Sequence, residues 1–235
     1  MTLWRALLER LEPIRLDLRK RFWPENPTSH VDFSIAFIAL AAKLAKADGR
    51  VSRSEVAAFR QIMEVPPSEE ARVGRIYDLC RQGTDGYESY ASRIHRLIRG
   101  HPSEEMIREN LLDGLFHIAM ADGVYHPSED RFLRVTAARL GLGEDGFDRI
   151  RARHVPDAWD PYRVLGVTQA DGPDLVKMAW KRLVRENHPD LVSASGLPSE
   201  MRLIAETRMC DINRAYEEIS SRHEKDTRDE NTPCI

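Results

Sequence analysis

A histidine, a proline and an aspartate stand in a row at His188, Pro189 and Asp190, directly after the basic run RLVREN. Proline has no backbone N–H and disfavours the α conformation of the residue before it, so a helix is expected to end here, with His188 outside it and Asp190 in an exposed turn. An imidazole beside a carboxylate could be part of a hydrolase, half of a metal site, a tip that docks on a partner, or a plain helix stop. The surrounding residues must decide among these four.

Catalysis by this triplet is poorly supported. A nucleophile triad needs Ser or Cys activated by His and oriented by an acid, and the chain contains no GxSxG or Cys–His signature. The rigid proline also directs the carboxylate of Asp190 away from the imidazole of His188. We predict that the chain is not an enzyme and needs no cofactor.

Two predicted helices precede the triplet. Asp160 can cap a short helix with Pro161 in its first turn and Gly166 at its end, and a second helix begins near Pro173. One face of the second helix is apolar and carries Val176, Trp180 and Leu183. Another face is basic and carries Lys177, Lys181, Arg182 and Arg185.

A long helix is predicted after the triplet and its polar loop. Its apolar residues recur at alternating steps of four and three, at Ala205, Met209, Ile212, Tyr216 and Ile219. Such a stripe is expected to lie antiparallel to the basic helix and to cover the side that holds Trp180.

Residues 159–223 resemble the J-domain family. The residues that carry the resemblance are Tyr162-x-x-Leu165-Gly166-Val167, the basic helix, His-Pro-Asp and Ile212-x-x-Ala215-Tyr216-x-x-Ile219, in that order. The resemblance implies a co-chaperone of a DnaK-type ATPase chaperone. It also implies that His188, Pro189 and Asp190 promote hydrolysis of the chaperone's ATP, and that the basic face of the second helix docks on the chaperone.

The region before this segment is predicted to be helical throughout, which makes the fold class all-α. It contains an internal repeat, AKADGRVSRSE (Ala45–Glu55) and AMADGVYHPSE (Ala119–Glu129). Each copy ends one helix at Asp-Gly and starts the next with Ser and Glu, so the pattern predicts a duplicated helix–turn–helix hairpin. Ser54 and Ser128 are the predicted helix starts.

The acidic residues of the repeat leave two hypotheses open. A calcium loop of the EF-hand type is excluded, because Leu44 and Lys46 occupy its first and third ligand positions in the first copy. A weaker divalent-cation site remains open, whereas helix capping accounts for the same residues without an ion and is favoured. The candidate ligands are Asp48, Glu55, Asp122 and Glu129.

The repeat also carries a second resemblance. The region from about Asp32 to His154 resembles the TerB family, the tellurite-resistance-type helical domain whose two halves share ADG-x-[VI]-x-x-x-E; the second copy departs from it at Tyr125. A TerB-like domain followed by a J-domain resembles the bacterial DjlA group of J-proteins. We expect the TerB-like domain to direct client, location or assembly, and this domain and the N-terminal helix are the candidate surfaces for self-association. The rival is a TerB-type divalent-metal or stress-responsive scaffold with a degenerate J-like segment.

The predicted organisation is an amphipathic N-terminal helix (1–27), the TerB-like domain (28–154), a linker (155–158), the J-domain (159–223) and a tail (224–235). The boundary rests on RARHVPDAWD (Arg151–Asp160), which has a proline and no clear apolar period. The first helix is expected to pack on its own domain or on a second copy, because Pro13 breaks its apolar face; binding to a membrane surface is the alternative.

Composition limits partners and location. The net charge is −3 and no segment forms a broad basic surface, so we expect no nucleic-acid partner. The longest uncharged stretch, Phe33–Ala42, is roughly half of the ~20 residues that span a bilayer, which predicts no transmembrane helix. Three scattered cysteines fit a reducing compartment. We expect a cytoplasmic protein, with peripheral inner-membrane contact as the alternative.

Overall fold

The structure is a computed structural model that describes residues 27–47, 52–62, 70–83, 86–188 and 201–230. Within these ranges the regular elements are helices without strands, so the predicted all-α class is confirmed. The predicted N-terminal helix, the loop residue Asp48 and the pair Pro189 and Asp190 lie outside the described residues. The helices are α1 (Pro27–Leu44), α2 (Arg53–Ile62), α3 (Glu70–Cys80), α4 (Tyr87–Ile98), α5 (Glu104–Ala119), α6 (Pro127–Leu140), α7 (Glu144–His154), α8 (Pro161–Leu165), α9 (Pro173–Glu186) and α10 (Met201–Glu230).

Helices α1 and α5 lie at the centre of an N-terminal bundle. From Ile35 to Leu44 every side chain of α1 is buried, and all of these residues except Lys43 are apolar, as expected of a helix enclosed by others. Helix α1 packs against α3, α4 and α5, and α5 packs in turn against α2, α6 and α7. The bundle thereby surrounds the middle of α5, where the polar residues Asn110 and Asp113 are fully enclosed.

Helices α8, α9 and α10 form a second apolar core of their own. The ring of Trp180 in α9 stacks on Tyr216 in α10 with centroids 4.5 Å apart, and its indole N–H donates to the Asn213 side-chain oxygen at 2.9 Å. Farther along α9, Asn187 contacts Arg208, which is earlier in α10. The partners therefore run in opposite directions, and the predicted antiparallel pairing that covers Trp180 is confirmed.

The region between the two cores is more helical than its sequence indicates. Residues Arg151–His154, which show no clear apolar period, are the last turn of α7, and a short 3-10 turn follows at Pro156–Ala158 within the predicted linker. The apolar period of α7 escapes notice because Phe147 and Ile150 are its only large buried apolar residues. Its other inward-facing positions are held by ion pairs, which a search for apolar periodicity does not detect.

No helix within the described residues is both long enough and apolar enough to cross a membrane.

Candidate docking site at the end of helix α9

The two short-range signals before the basic helix are confirmed. The Asp160 carboxylate accepts the backbone N–H of Tyr162 at 3.0 Å and that of Arg163 at 3.4 Å, which caps α8. Gly166 ends α8 with φ 67°, in the left-handed region that favours glycine. These two turns place α9 across α10, with Val176 buried at the start of α9.

The basic face of α9 is open to solvent. The predicted docking cations are all exposed, at Lys177, Lys181, Arg182 and Arg185. The one ion pair formed among the described contacts of this face joins Arg182 to Glu186 at 3.5 Å, and both side chains are more than half exposed. An exposed pair of this kind holds its partners weakly, so the face remains available to an acidic surface.

Two exposed apolar side chains accompany the cations, and sequence reasoning missed them. Leu175 is 54% exposed and Met178 is 66% exposed, although both are large and apolar. They belong to neither the apolar stripe of α9 nor its basic steps of four. That mismatch with the helical period was the signal that could have identified them.

His188 stands where the triplet predicts it. Helix α9 ends at Glu186, and both the backbone and the side-chain N–H of Asn187 donate to the carbonyl oxygen of Leu183 at 2.9 Å. Asn187 is buried, whereas His188 follows it outside the helix and is exposed. The predicted helix end is thus confirmed, while the roles of His188 and its two neighbours stay a prediction.

A buried arginine holds the end of α9. The guanidinium of Arg208 in α10 donates to the Asn187 side-chain oxygen at 2.7 Å and to the Asp113 carboxylate in α5 at 2.8 Å. A further Arg208 nitrogen bonds the same carboxylate, and the nitrogen that bonds Asn187 also lies 3.3 Å from the Glu109 carboxylate. None of these four residues belongs to a motif recognised from the sequence.

Asp113 is the acidic centre of this cluster. Arg153 in α7 donates to both of its oxygens at 3.0 and 3.1 Å, and the His154 ring nitrogen lies 2.7 Å away. Burial opposes ionisation of Asp113, but Arg153, Arg208 and the His154 hydrogen bond outweigh burial and hold the pKa of this carboxyl far below its ordinary value. Asp113 is therefore a permanent anion at neutral pH.

The acidic residues of the first repeat copy act as a helix cap. The Glu55 carboxylate accepts the backbone N–H of Ser52 at 2.6 Å, and the Ser52 hydroxyl accepts the backbone N–H of Glu55 at 3.1 Å. This reciprocal pair is a capping box. The helix therefore starts after Ser52, two residues before the predicted start at Ser54.

The second copy repeats the arrangement with a different cap residue. The buried Glu129 carboxylate accepts the backbone N–H of His126 at 2.8 Å, so α6 starts after His126 and the predicted start at Ser128 is wrong. Pro127 explains the shift, because proline is favoured at the first helical position and leaves the cap to the residue before it.

The remaining acidic residue of the second copy also acts locally. The Asp122 carboxylate accepts the backbone N–H of Val124 at 2.9 Å, across the Gly123 turn with φ 84°. Among the described side chains no cluster of His, Cys, Asp or Glu has the arrangement of a metal site. The contacts seen for Glu55, Asp122 and Glu129 are those expected of capping, which is the hypothesis that the sequence favoured.

Replacement of Glu129 by Ala tests the capping role. We expect the free energy of unfolding to fall by about 1–2 kcal/mol, because the partly buried His126 N–H loses its acceptor. Denaturant unfolding measures the change, with Asp145→Ala as a control that removes an exposed first-turn carboxylate and costs less than about 1 kcal/mol. Stabilisation of the wild type by calcium, magnesium or zinc that disappears in Glu129→Ala would instead support a cation site.

Comparison with known proteins extends these observations. Residues 34–152, half of the chain, match the family of the tellurite resistance protein TerB. The chain belongs to the TerB family. The predicted TerB-like region thus holds a TerB domain, built from the α1–α7 bundle described above.

Relatives match this TerB-family chain well beyond the bundle. The co-chaperone protein DjlA of Photorhabdus laumondii is 25% identical over 84% of this chain and 82% of its own length. DjlA of Yersinia pestis is 25% identical over 86% of this chain and 83% of its own, and DjlA of Coxiella burnetii is 29% identical over 75% and 72%. The chain is therefore a DjlA-like protein with a TerB domain. No solved structure matches it significantly.

Proposed function

We propose that this chain is a J-domain co-chaperone that stimulates ATP hydrolysis by a DnaK-type chaperone. The observation that carries the proposal is the exposed basic face of α9, which ends at an exposed His188 directly before Pro189 and Asp190. The proposal is also supported by the curated DjlA proteins, which are named as co-chaperones and match over most of both chains.

The basic face and the triplet have different roles in this mechanism. Lys177, Lys181, Arg182 and Arg185 attract an acidic surface of the chaperone and set the orientation of the encounter. The triplet then makes the contacts that promote hydrolysis. The chain itself breaks no bond, because ATP and the residues that cleave it belong to the chaperone.

The apolar pair on α9 adds contact area to the same face. Leu175 and Met178 are exposed among the cations, so docking would remove their side chains from water. Burial of apolar surface contributes about 25 cal/mol per Å², whereas the surrounding charges contribute mainly to association rate and orientation. Within this proposal the TerB domain directs client, location or assembly.

Single-turnover hydrolysis of ATP by a DnaK-type chaperone tests the proposal. The rate is measured at increasing concentrations of the full chain, and a saturable acceleration is expected. Absence of acceleration at any concentration would contradict it. A pull-down with the intact and the altered triplet then distinguishes two classes of partner. The chaperone should be captured only with the intact triplet, whereas proteins that bind the TerB domain should be captured with both.

Reversal of charge on the basic face should weaken association with the chaperone, whereas the triplet and the maximal stimulation should be unchanged. We expect Lys181→Glu combined with Arg182→Glu to raise the half-maximal concentration roughly tenfold at low salt, with a smaller effect as salt screens the charges. The control is Arg75→Glu combined with Arg131→Glu, which makes the same change in net charge at exposed positions of the bundle. An equal effect of the control would show that only net charge matters.

A further inference from the structure

The two apolar cores share helices. Helix α10 contributes Ile204 and Ala205 to the core of the bundle, and later contributes Ile212 and Ile219 to the second core. Helix α7 of the bundle contributes Ala152 to the second core. Because a single helix is packed into both cores, the α8–α10 hairpin is not free to rotate on the bundle.

A line of buried polar contacts connects the bundle to the end of α9. It runs from Asp113 in α5 through Arg208 in α10 to Asn187, the residue directly before His188. The three residues are 1%, 3% and 7% exposed. Asp113 and Arg208 lie 95 residues apart in sequence, so the contact exists only through the tertiary fold.

The rigid geometry of the Arg208 side chain allows Asp113 to determine the position of the contact with Asn187. The guanidinium is planar and rigid, and Arg208 uses one edge for the Asp113 carboxylate while another nitrogen bonds Asn187. Fixing the plane on Asp113 therefore fixes where the nitrogen for Asn187 points. Arg153 holds the other side of the carboxylate, so Asp113 itself cannot turn.

Stability alone is a weak explanation for such a cluster. Well-packed apolar residues of similar volume often stabilise a core as well as a buried ion pair does. What a charged, hydrogen-bonded cluster adds is a single defined geometry. Here that geometry ends at the residue next to the proposed docking tip.

We propose that Asp113, Arg208 and Asn187 are positioning residues through which the TerB domain fixes the backbone beside His188 for docking. The inference rests on the proposed function and deepens it, because it gives the TerB domain a direct part in presenting the tip. A tip that is held in place before docking loses less conformational entropy on binding than a mobile one. The TerB domain would thereby increase the affinity for the chaperone without touching it.

Three full-length variants interrupt the line from Asp113 through Arg208 to Asn187 at different points. Asp113→Asn removes the charge that orients Arg208, and Asn187→Leu removes the last contact. Arg208→Lys keeps a cation for Asp113 but cannot reach both partners, so it serves if Asp113→Asn fails to fold. The matched control is Arg151→Gln, which breaks an ion pair with Asp130 between α6 and α7 and has no contact with Asp113, Arg208 or Asn187 among the described bonds.

Two measurements are made on each variant below its melting midpoint. The first is hydrogen exchange of the Asn187 amide, whose bond to Leu183 reports on order at the end of α9. The second is the half-maximal concentration for stimulating ATP hydrolysis by the chaperone. We expect the three variants to exchange at least tenfold faster and to need at least fivefold more protein, and the control to behave like the wild type.

The expected coupling is non-additive. If Asp113 acts through Arg208 on Asn187, the double variant Asp113→Asn with Asn187→Leu should be no worse than the worse single variant. The proposal would be overturned if a folded Asp113→Asn or Arg208→Lys variant had the wild-type exchange rate at the Asn187 amide and the wild-type half-maximal concentration. If the wild type itself fails to stimulate, the proposed function fails, while the exchange measurement still decides whether the bundle orders the end of α9.

Discussion

Replacement of His188 by Gln is expected to abolish stimulation of the chaperone's ATP hydrolysis while leaving the fold intact. His188 is exposed and lies beyond the end of α9, so we expect the free energy of unfolding to change by less than about 0.5 kcal/mol. Single-turnover hydrolysis measures the first effect, and circular dichroism with thermal melting measures the second.

A second histidine provides the control for this experiment. His101 lies in the loop before α5, where its ring nitrogen accepts the backbone N–H of Ser103 at 3.0 Å. His101→Gln makes the same chemical change far from the triplet in sequence and should leave stimulation at the wild-type level. Full stimulation by His188→Gln would contradict the co-chaperone mechanism, and loss of helical signal would show that His188 is a structural residue.

Replacement of Asp113 by Ala is expected to lower the free energy of unfolding more than any other substitution proposed for this protein. The change leaves the buried guanidinium groups of Arg153 and Arg208 without the carboxylate that compensates them. Removing one partner of a buried ion pair typically lowers the free energy of unfolding by about 3–5 kcal/mol. Denaturant unfolding at neutral pH measures this loss.

The contribution of Asp113 to the free energy of unfolding should also depend on pH. Because the pKa of Asp113 is depressed in the folded state, its contribution to stability is present above the ordinary value of 3.8 and is lost as the pH falls below that value. The difference in free energy of unfolding between the wild type and Asp113→Ala should therefore shrink as the pH falls below 3.8. The control is Asp148→Ala, whose partners Arg134 and Arg163 are much more exposed, with an expected loss of at most about 1 kcal/mol. Equal losses in the two variants would contradict a special role for Asp113.

The sequence alone determined the local features of the docking site. The Asp160 cap, the Gly166 turn and the end of α9 before His188 all depend on residues within one or two turns of each other, so their signals lie together in the chain. The exposed basic face of α9 and the apolar stripe of α10 likewise follow from helical periodicity. For the same reason the two copies of the repeat were recognised, although the cap residues themselves were misplaced.

Signals for the buried cluster were present in the sequence but did not identify the partners. Asp113 interrupts the apolar run LLDGLF in α5, and Arg208 stands three residues after Ala205 and four before Ile212, on the buried stripe of α10. Each position indicates a buried charge, which must be paired. With 35 basic and 38 acidic residues, the chain offers far too many pairings for sequence to choose one.

Tertiary structure alone decided that pairing and, with it, the relation between the two halves of the chain. Periodicity specifies which face of a helix is buried but not which helix lies against it. The crossing of α10 over both cores brings Arg208 between Asp113 and Asn187, and so joins the TerB domain to the residue beside His188. A contact between residues 95 positions apart depends on how every intervening helix packs, and no local pattern encodes that.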